Sequence, residues 1–138
     1  MHKAIGHPVR LRILSMLRGG PLCVCQMTVV VKLAGSTVSE HLSELRRAGL
    51  VVERKDGRWV EYRLAANPSA WQLLAAVWSD LAEDPEVKAD SLVLSELRKV
   101  SLDELCSAEL ELGRIKRPKL TAALREAAKL RHAGEAAR

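Results

Sequence analysis

At Gly49 the spacing of apolar residues changes from helical to alternating, and that switch constrains the architecture more than any other feature of the sequence. Before it, Val38, Leu42 and Leu45 make an inward stripe on a helix expected over residues 37–48, with Ser36 as its N-cap and Gly49 just past its end. After it, residues 50–55 and 58–64 read as two strands joined at Asp56-Gly57, a dipeptide that supplies the positive φ angles of a two-residue hairpin. Val60, Tyr62 and Leu64 then share one face, with Trp59, Glu61 and Arg63 on the other. Upstream, Val9, Ile13, Leu14 and Leu17 predict a helix over residues 8–18, with Pro8 in its first turn and Gly19-Gly20 as its stop. A second, short helix is expected from about residues 23–26 to 33, and Ala34-Gly35 makes the turn that follows.

Beyond the hairpin, Pro68-Ser69 opens an apolar helix over residues 70–82, with Trp71, Leu74, Val77, Trp78 and Leu81 along one broad face. Asp84-Pro85 breaks and restarts it, Ser101 with Glu104 forms a capping box, and Pro118 precedes an Ala-rich basic stretch. With 3% aromatic residues and no Phe, the core must be built of Leu, Val, Ile and Ala. No apolar run approaches the ~18 residues of a membrane span and no signal-peptide pattern opens the chain, so the expected setting is the cytoplasm, with no membrane partner. In that reducing compartment the three cysteines are expected as thiols.

The net charge of +5 is unevenly distributed. Residues 1–64 carry 11 basic and 5 acidic side chains, residues 80–112 carry 3 and 10, and residues 113–138 carry 8 and 2. A basic N-terminal half suits phosphate contact. Two short helices joined by a tight turn and followed by a hairpin make the order helix, turn, helix, wing, in which the second helix of the pair enters the major groove of DNA. The candidate DNA-contacting residues are Ser36, Thr37, Ser39, Glu40 and His41 for base edges and nearby phosphates, the outward Arg46 and Arg47, and Arg54, Lys55 and Arg58 around the hairpin tip.

The runs HPVRLRILSML, CVC, STVSEHLSELRRAGLV and ERKDGRWVEYRL strongly resemble the ArsR/SmtB family of bacterial metal-responsive repressors, over roughly residues 4–82. The resemblance implies a homodimer that binds an inverted-repeat operator in double-stranded DNA and lets go when its inducing ion binds. It also implies that the helix over residues 70–82 contributes to the dimer interface. The fold expected is mainly α with a β-hairpin (α+β), a winged helix-turn-helix with C-terminal dimerisation helices. Residues 1–83 are the expected DNA-binding and dimerisation domain, and residues 84–138 a helical extension, partly mobile at its end.

Cysteine thiolates are soft ligands, and a close pair selects thiophilic ions over Mg²⁺ or Ca²⁺. Cys23 and Cys25 are therefore the candidate ligands for trivalent arsenic or antimony as inducer. Spaced i, i+2, their sulfurs diverge on an intact helix and share a face in extended chain, so chelation predicts an unwound helix start; a helix N-terminus is also expected to lower the thiol pKa. Arsenic-responsive members often carry a third cysteine three residues after the second, where Thr28 stands here, so a third thiolate falls to Cys106 unless two suffice. Cadmium, lead or thiol redox state are the alternative signals for the same cysteines. The interfacial zinc site of other members is missing, since residues 69–83 contain no His. No acid, base and nucleophile constellation accompanies the thiols, so the chain is expected to be no enzyme and to need no catalytic cofactor.

Overall fold

The computed structural model describes residues 5–57, 59–107 and 117–137, with backbone alone at 106, 107, 136 and 137. In chain order the elements are α1 (Pro8–Arg18), β1 (Leu22–Cys23), α2 (Val24–Val31), α3 (Gly35–Arg47), β2 (Val51–Asp56), β3 (Trp59–Leu64), α4 (Pro68–Glu83), α5 (Pro85–Leu97), α6 (Leu102–Ser107) and α7 (Pro118–Ala137). The mainly helical architecture with one hairpin is the one expected. The hairpin belongs to a three-stranded antiparallel sheet of order β1-β3-β2, in which Leu22 pairs with Tyr62 and Cys23 with Glu61. Strand β1 is only two residues long, too short for alternation to reveal it.

Three boundaries differ from expectation, each for a local reason. Lys32 adopts a left-handed conformation (φ 57°) and ends α2 at Val31, so the reversal begins before Ala34-Gly35. Helix α3 then starts at Gly35, with Ala34 as its extended N-cap (φ −60°, ψ 147°), so Ser36 lies exposed in the first turn instead of capping it. The hairpin tip is one residue further on: Asp56 pairs with Trp59, leaving Gly57 (φ +60°) to supply the positive φ.

Ile13, Leu14, Met27, Val38, Leu42 and Leu45 are fully buried and form the centre of the core. Leu97, Leu105 and Leu120 belong to the same hydrophobic cluster, so the C-terminal helices are packed onto the helix-turn-helix unit. Asp84 caps α5 by accepting from the Glu86 backbone N–H (2.8 Å), and Ser101 Oγ accepts from the Glu104 N–H (3.2 Å), as the capping-box reading expects.

Two polar contacts fasten the extension to α1. Asp90, 2% exposed on α5, accepts from Arg12 Nε (2.8 Å) and Nη2 (2.9 Å) and from Arg131 Nη2 of α7 (3.0 Å). Arg98, just past α5, donates to the carbonyls of Met16 (3.3 Å), Gly20 (3.1 Å) and Pro21 (3.0 Å). It thereby ties the last turn of α1 and the loop leading to β1 to the end of α5. Among the described residues no helix is long and apolar enough to cross a membrane.

Candidate nucleic-acid interface and thiol pair

Burying Val38, Leu42 and Leu45 turns the opposite face of α3 outward. Ser36, Ser39, Glu40, Arg46 and Arg47 are exposed there, with Thr37 and His41 half-buried. Ser36, Ser39, Glu40, His41 and Arg47 line one groove of about 640 Å³ together with Arg10 of α1. Arg10 was not among the residues expected here; it is carried in by the packing of α1 against α3, which sequence spacing does not report.

Arg10 Nε donates to His41 Nδ1 (3.1 Å), and the rings of His41 and His7 lie 4.5 Å apart. Burial first, then His7 and Arg10, push the His41 pKa down, against a smaller upward pull from Glu40. Arg46 is ion-paired with Glu53 on β2, and Tyr62 Oη also donates to Glu53 (3.2 Å), so α3 and the hairpin are tied side chain to side chain. Arg47 pairs with Glu44 (2.7 Å). Arg54 and Lys55 are exposed on β2 near the hairpin tip, and Arg58 lies outside the described residues. Of the basic run after residue 112, Arg117 meets Glu104 at 3.4 Å.

Cys23 and Cys25 straddle the β1–α2 junction. Cys23 is the extended N-cap of α2 (φ −93°, ψ 161°) and is paired with Glu61 in the wing strand, whereas Cys25 sits in the helix's first turn. Only one of the two is helical, so the divergence expected of an i, i+2 pair on a helix does not apply, and no unwinding is needed to free Cys23. Both are free cysteines. Gln26 Oε1 accepts from the Cys23 N–H (2.9 Å) and Thr28 Oγ1 donates to the Cys25 carbonyl (2.9 Å).

The expectation of a lowered pKa at this helix start fails for Cys23. The thiol is buried, and desolvation raises its pKa, with smaller contributions from Glu61, Cys25 and Asp56. The wing strand brings a carboxylate to the place where the helix dipole acts, and the sequence alone did not show it. Cys106 falls within α6, which packs against α2, while its side chain lies outside the described residues. Among the described residues no group of three His, Cys, Asp or Glu side chains could hold a metal ion, so the described donors are the pair of thiols.

Residues 7–52 match the bacterial regulatory protein, arsR family. The chain is 39% identical over 70 residues to the arsenic resistance transcriptional regulator ArsR1 of Pseudomonas putida, a match covering 50% of this chain and 55% of that one. It is 44% identical over 61 residues to the HTH-type transcriptional regulator MJ1325 of Methanocaldococcus jannaschii, covering 44% of this chain and 68% of the relative. In the solved structures, the transcriptional repressor BigR from Xylella fastidiosa superimposes with a TM-score of 0.51 at 31% identity, over 56% of this chain and 76% of BigR. The chain thus spans little more than half the length of the P. putida relative. With a helix-turn-helix and wing in this order and these similarities along them, the chain belongs to the arsR family of bacterial regulatory proteins.

Proposed function

We propose that this chain is a homodimeric cytoplasmic repressor that holds an inverted-repeat operator through α3 and the wing. Trivalent arsenic or antimony at Cys23 and Cys25 releases it, with Cys106 as a third thiolate. One observation carries the reading: Cys23 stands opposite Glu61 in the strand ladder of the wing, and Cys25 lies on the helix that packs against α3. Drawing the two sulfurs together therefore loads both DNA-contacting elements at once.

The donor set fits the inducer, because two free thiols are soft and the packing of α6 on α2 keeps a third cysteine's helix nearby. The ion supplies strong thiolate bonds when bound. The chain's own residues do the rest. Gln26 and Thr28 anchor the backbone at the two cysteines, and the Arg46–Glu53 pair carries any shift of the wing into α3. Weakening operator binding by ~10²–10³ requires ~3–4 kcal/mol of coupling between the sites.

The proposed dimer face is α4, where Trp71 is 55% exposed beside an apolar hollow of about 210 Å³ lined by Leu64, Leu74 and Trp78. On this reading residues 1–83 are the DNA-binding and dimerisation unit, and residues 84–138 buttress it. The name of the P. putida relative favours arsenic as the signal. The test is an arsenite titration of the full chain, followed by thiolate–arsenic absorbance in the near ultraviolet, with antimonite, cadmium and lead in parallel. One ion per chain is expected, lost in Cys23→Ser and Cys25→Ser and weakened in Cys106→Ser; undiminished binding by Cys25→Ser overturns the site.

A further inference from the structure

The Arg10–His41 contact sets which proton His41 carries, and so what it can recognise. An imidazole nitrogen that accepts a hydrogen bond holds no proton, and a neutral imidazole then carries its one proton on the other nitrogen. Arg10 Nε donates to Nδ1 at 3.1 Å, which leaves Nε2–H as the polar group His41 can offer to the groove it lines with Ser36, Ser39, Glu40 and Arg47. The groups facing His41 hold it in this form. Burial opposes a second proton, His7 at the N-cap of α1 and Arg10 within it oppose it further, and Glu40 on α3 favours one more weakly. His7 is itself fixed: its Nδ1 accepts from the Val9 N–H (3.2 Å), and its ring lies 4.5 Å from that of His41, tilted by 50°. The reader's orientation is thus set from α1, outside the recognition helix.

We propose that Arg10 is a positioning residue that locks His41 as a donor-only reader, so that one position of each operator half-site is confined to bases presenting a major-groove acceptor, with purine favoured and cytosine refused. Guanine presents N7 and O6, adenine presents N7 and thymine O4, whereas cytosine offers only its N4–H₂ donor. A donor facing a donor makes no bond and leaves both desolvated, which is where the discrimination arises. The inference rests on α3 being the DNA-reading helix.

The test has two arms, both on the full-length chain. In the first, ¹⁵N-correlated imidazole spectra of the free protein are expected to show His41 with Nε2 protonated and Nδ1 not, and Arg10→Ala is expected to mix the two tautomers. A wild-type spectrum with Nδ1 protonated overturns the proposal without any DNA. In the second, a pool of randomised duplexes is selected by wild type, Arg10→Ala, Arg10→Lys and His41→Ala. Wild type is expected to deplete cytosine about tenfold at one position per half-site. Arg10→Ala and His41→Ala are expected to lose that depletion while the other selected positions stand, and Arg10→Lys, which keeps the charge and a donor, to restore part of it. If Arg10→Ala weakens binding evenly and leaves the selected sequence unchanged, Arg10 contacts phosphate or supports the fold, and the proposal fails. If wild type enriches no sequence while its tautomer is as expected, the DNA-reading role itself is wrong and the inference falls with it.

Discussion

Replacing Asp90 by Ala should unfold the chain far more readily than removal of any surface charge. The carboxylate is 2% exposed and takes three charge-assisted hydrogen bonds, two from Arg12 and one from Arg131. Those two arginine side chains are only 18% and 20% exposed, so truncation strands two largely desolvated cations. Removing one partner of a buried ion pair costs about 3–5 kcal/mol. Glu86 remains 2.9 Å from Arg131 and 3.6 Å from Arg12, close enough to offset part of the loss. That places the expected cost near the lower end, at about 3 kcal/mol.

With a urea slope of about 2 kcal/mol/M for a small protein, the unfolding midpoint should fall by about 1.5 M, read by far-ultraviolet circular dichroism. A double-mutant cycle with Arg131→Gln should show a coupling above about 1 kcal/mol. The exposed Lys129–Glu126 pair (3.3 Å), broken as a control, should cost no more than about 0.5 kcal/mol. A cost below about 1 kcal/mol for Asp90→Ala, with an unchanged slope, would refute the claim that this network clamps the C-terminal helices to α1.

Other expectations follow from the same contacts. Arg98→Ala removes one hydrogen bond to Met16 of α1 and two to the loop before β1; because the side chain is part-exposed, the cost should be about 1–2 kcal/mol, and Cys23 should react several-fold faster with iodoacetamide. The Cys23 thiol has its pKa raised by the fold, so native chain favours the neutral form more than unfolded chain does. Its contribution to stability is therefore complete below the ordinary thiol range and is lost as pH rises through that range toward the raised folded value. Thermal melts against pH should show this decline in wild type and not in Cys23→Ser. Gly134→Ala should destabilise despite its better helix propensity, because a Cβ there would stand 2.7–2.8 Å from Pro85; a melt at or above that of wild type would refute so close an approach of α7 to α5.

The sequence made legible what depends on local pattern. Val38, Leu42 and Leu45 mark the face α3 buries, Asp84-Pro85 marks the break between α4 and α5, and the alternation after Gly49 marks the wing. The tertiary contacts were not legible. Nothing in the spacing of Arg12, Asp90 and Arg131 shows that three helices bring them together, and Arg98 reaches carbonyls about 80 residues upstream. The thiol pair was singled out by ligand chemistry and by the resemblance that the CVC run helps carry. Its electrostatics were misread because the burial of Cys23, and after it the approach of Glu61, come with pairing through a strand of two residues. The same limit hid Arg10, whose role at His41 depends on how α1 packs on α3.

The central claim is that joining Cys23 to Cys25 loosens the hold of α3 and the wing on DNA. Its most direct test is fluorescence anisotropy of a labelled duplex, taken from the selected pool, titrated with wild type and with Cys25→Ser, each with and without arsenite. Arsenite is expected to raise the wild-type Kd by at least about 100-fold, about 2.7 kcal/mol, and to leave that of Cys25→Ser unchanged. Equal affinity of loaded and unloaded wild type, or full release of Cys25→Ser, would contradict it.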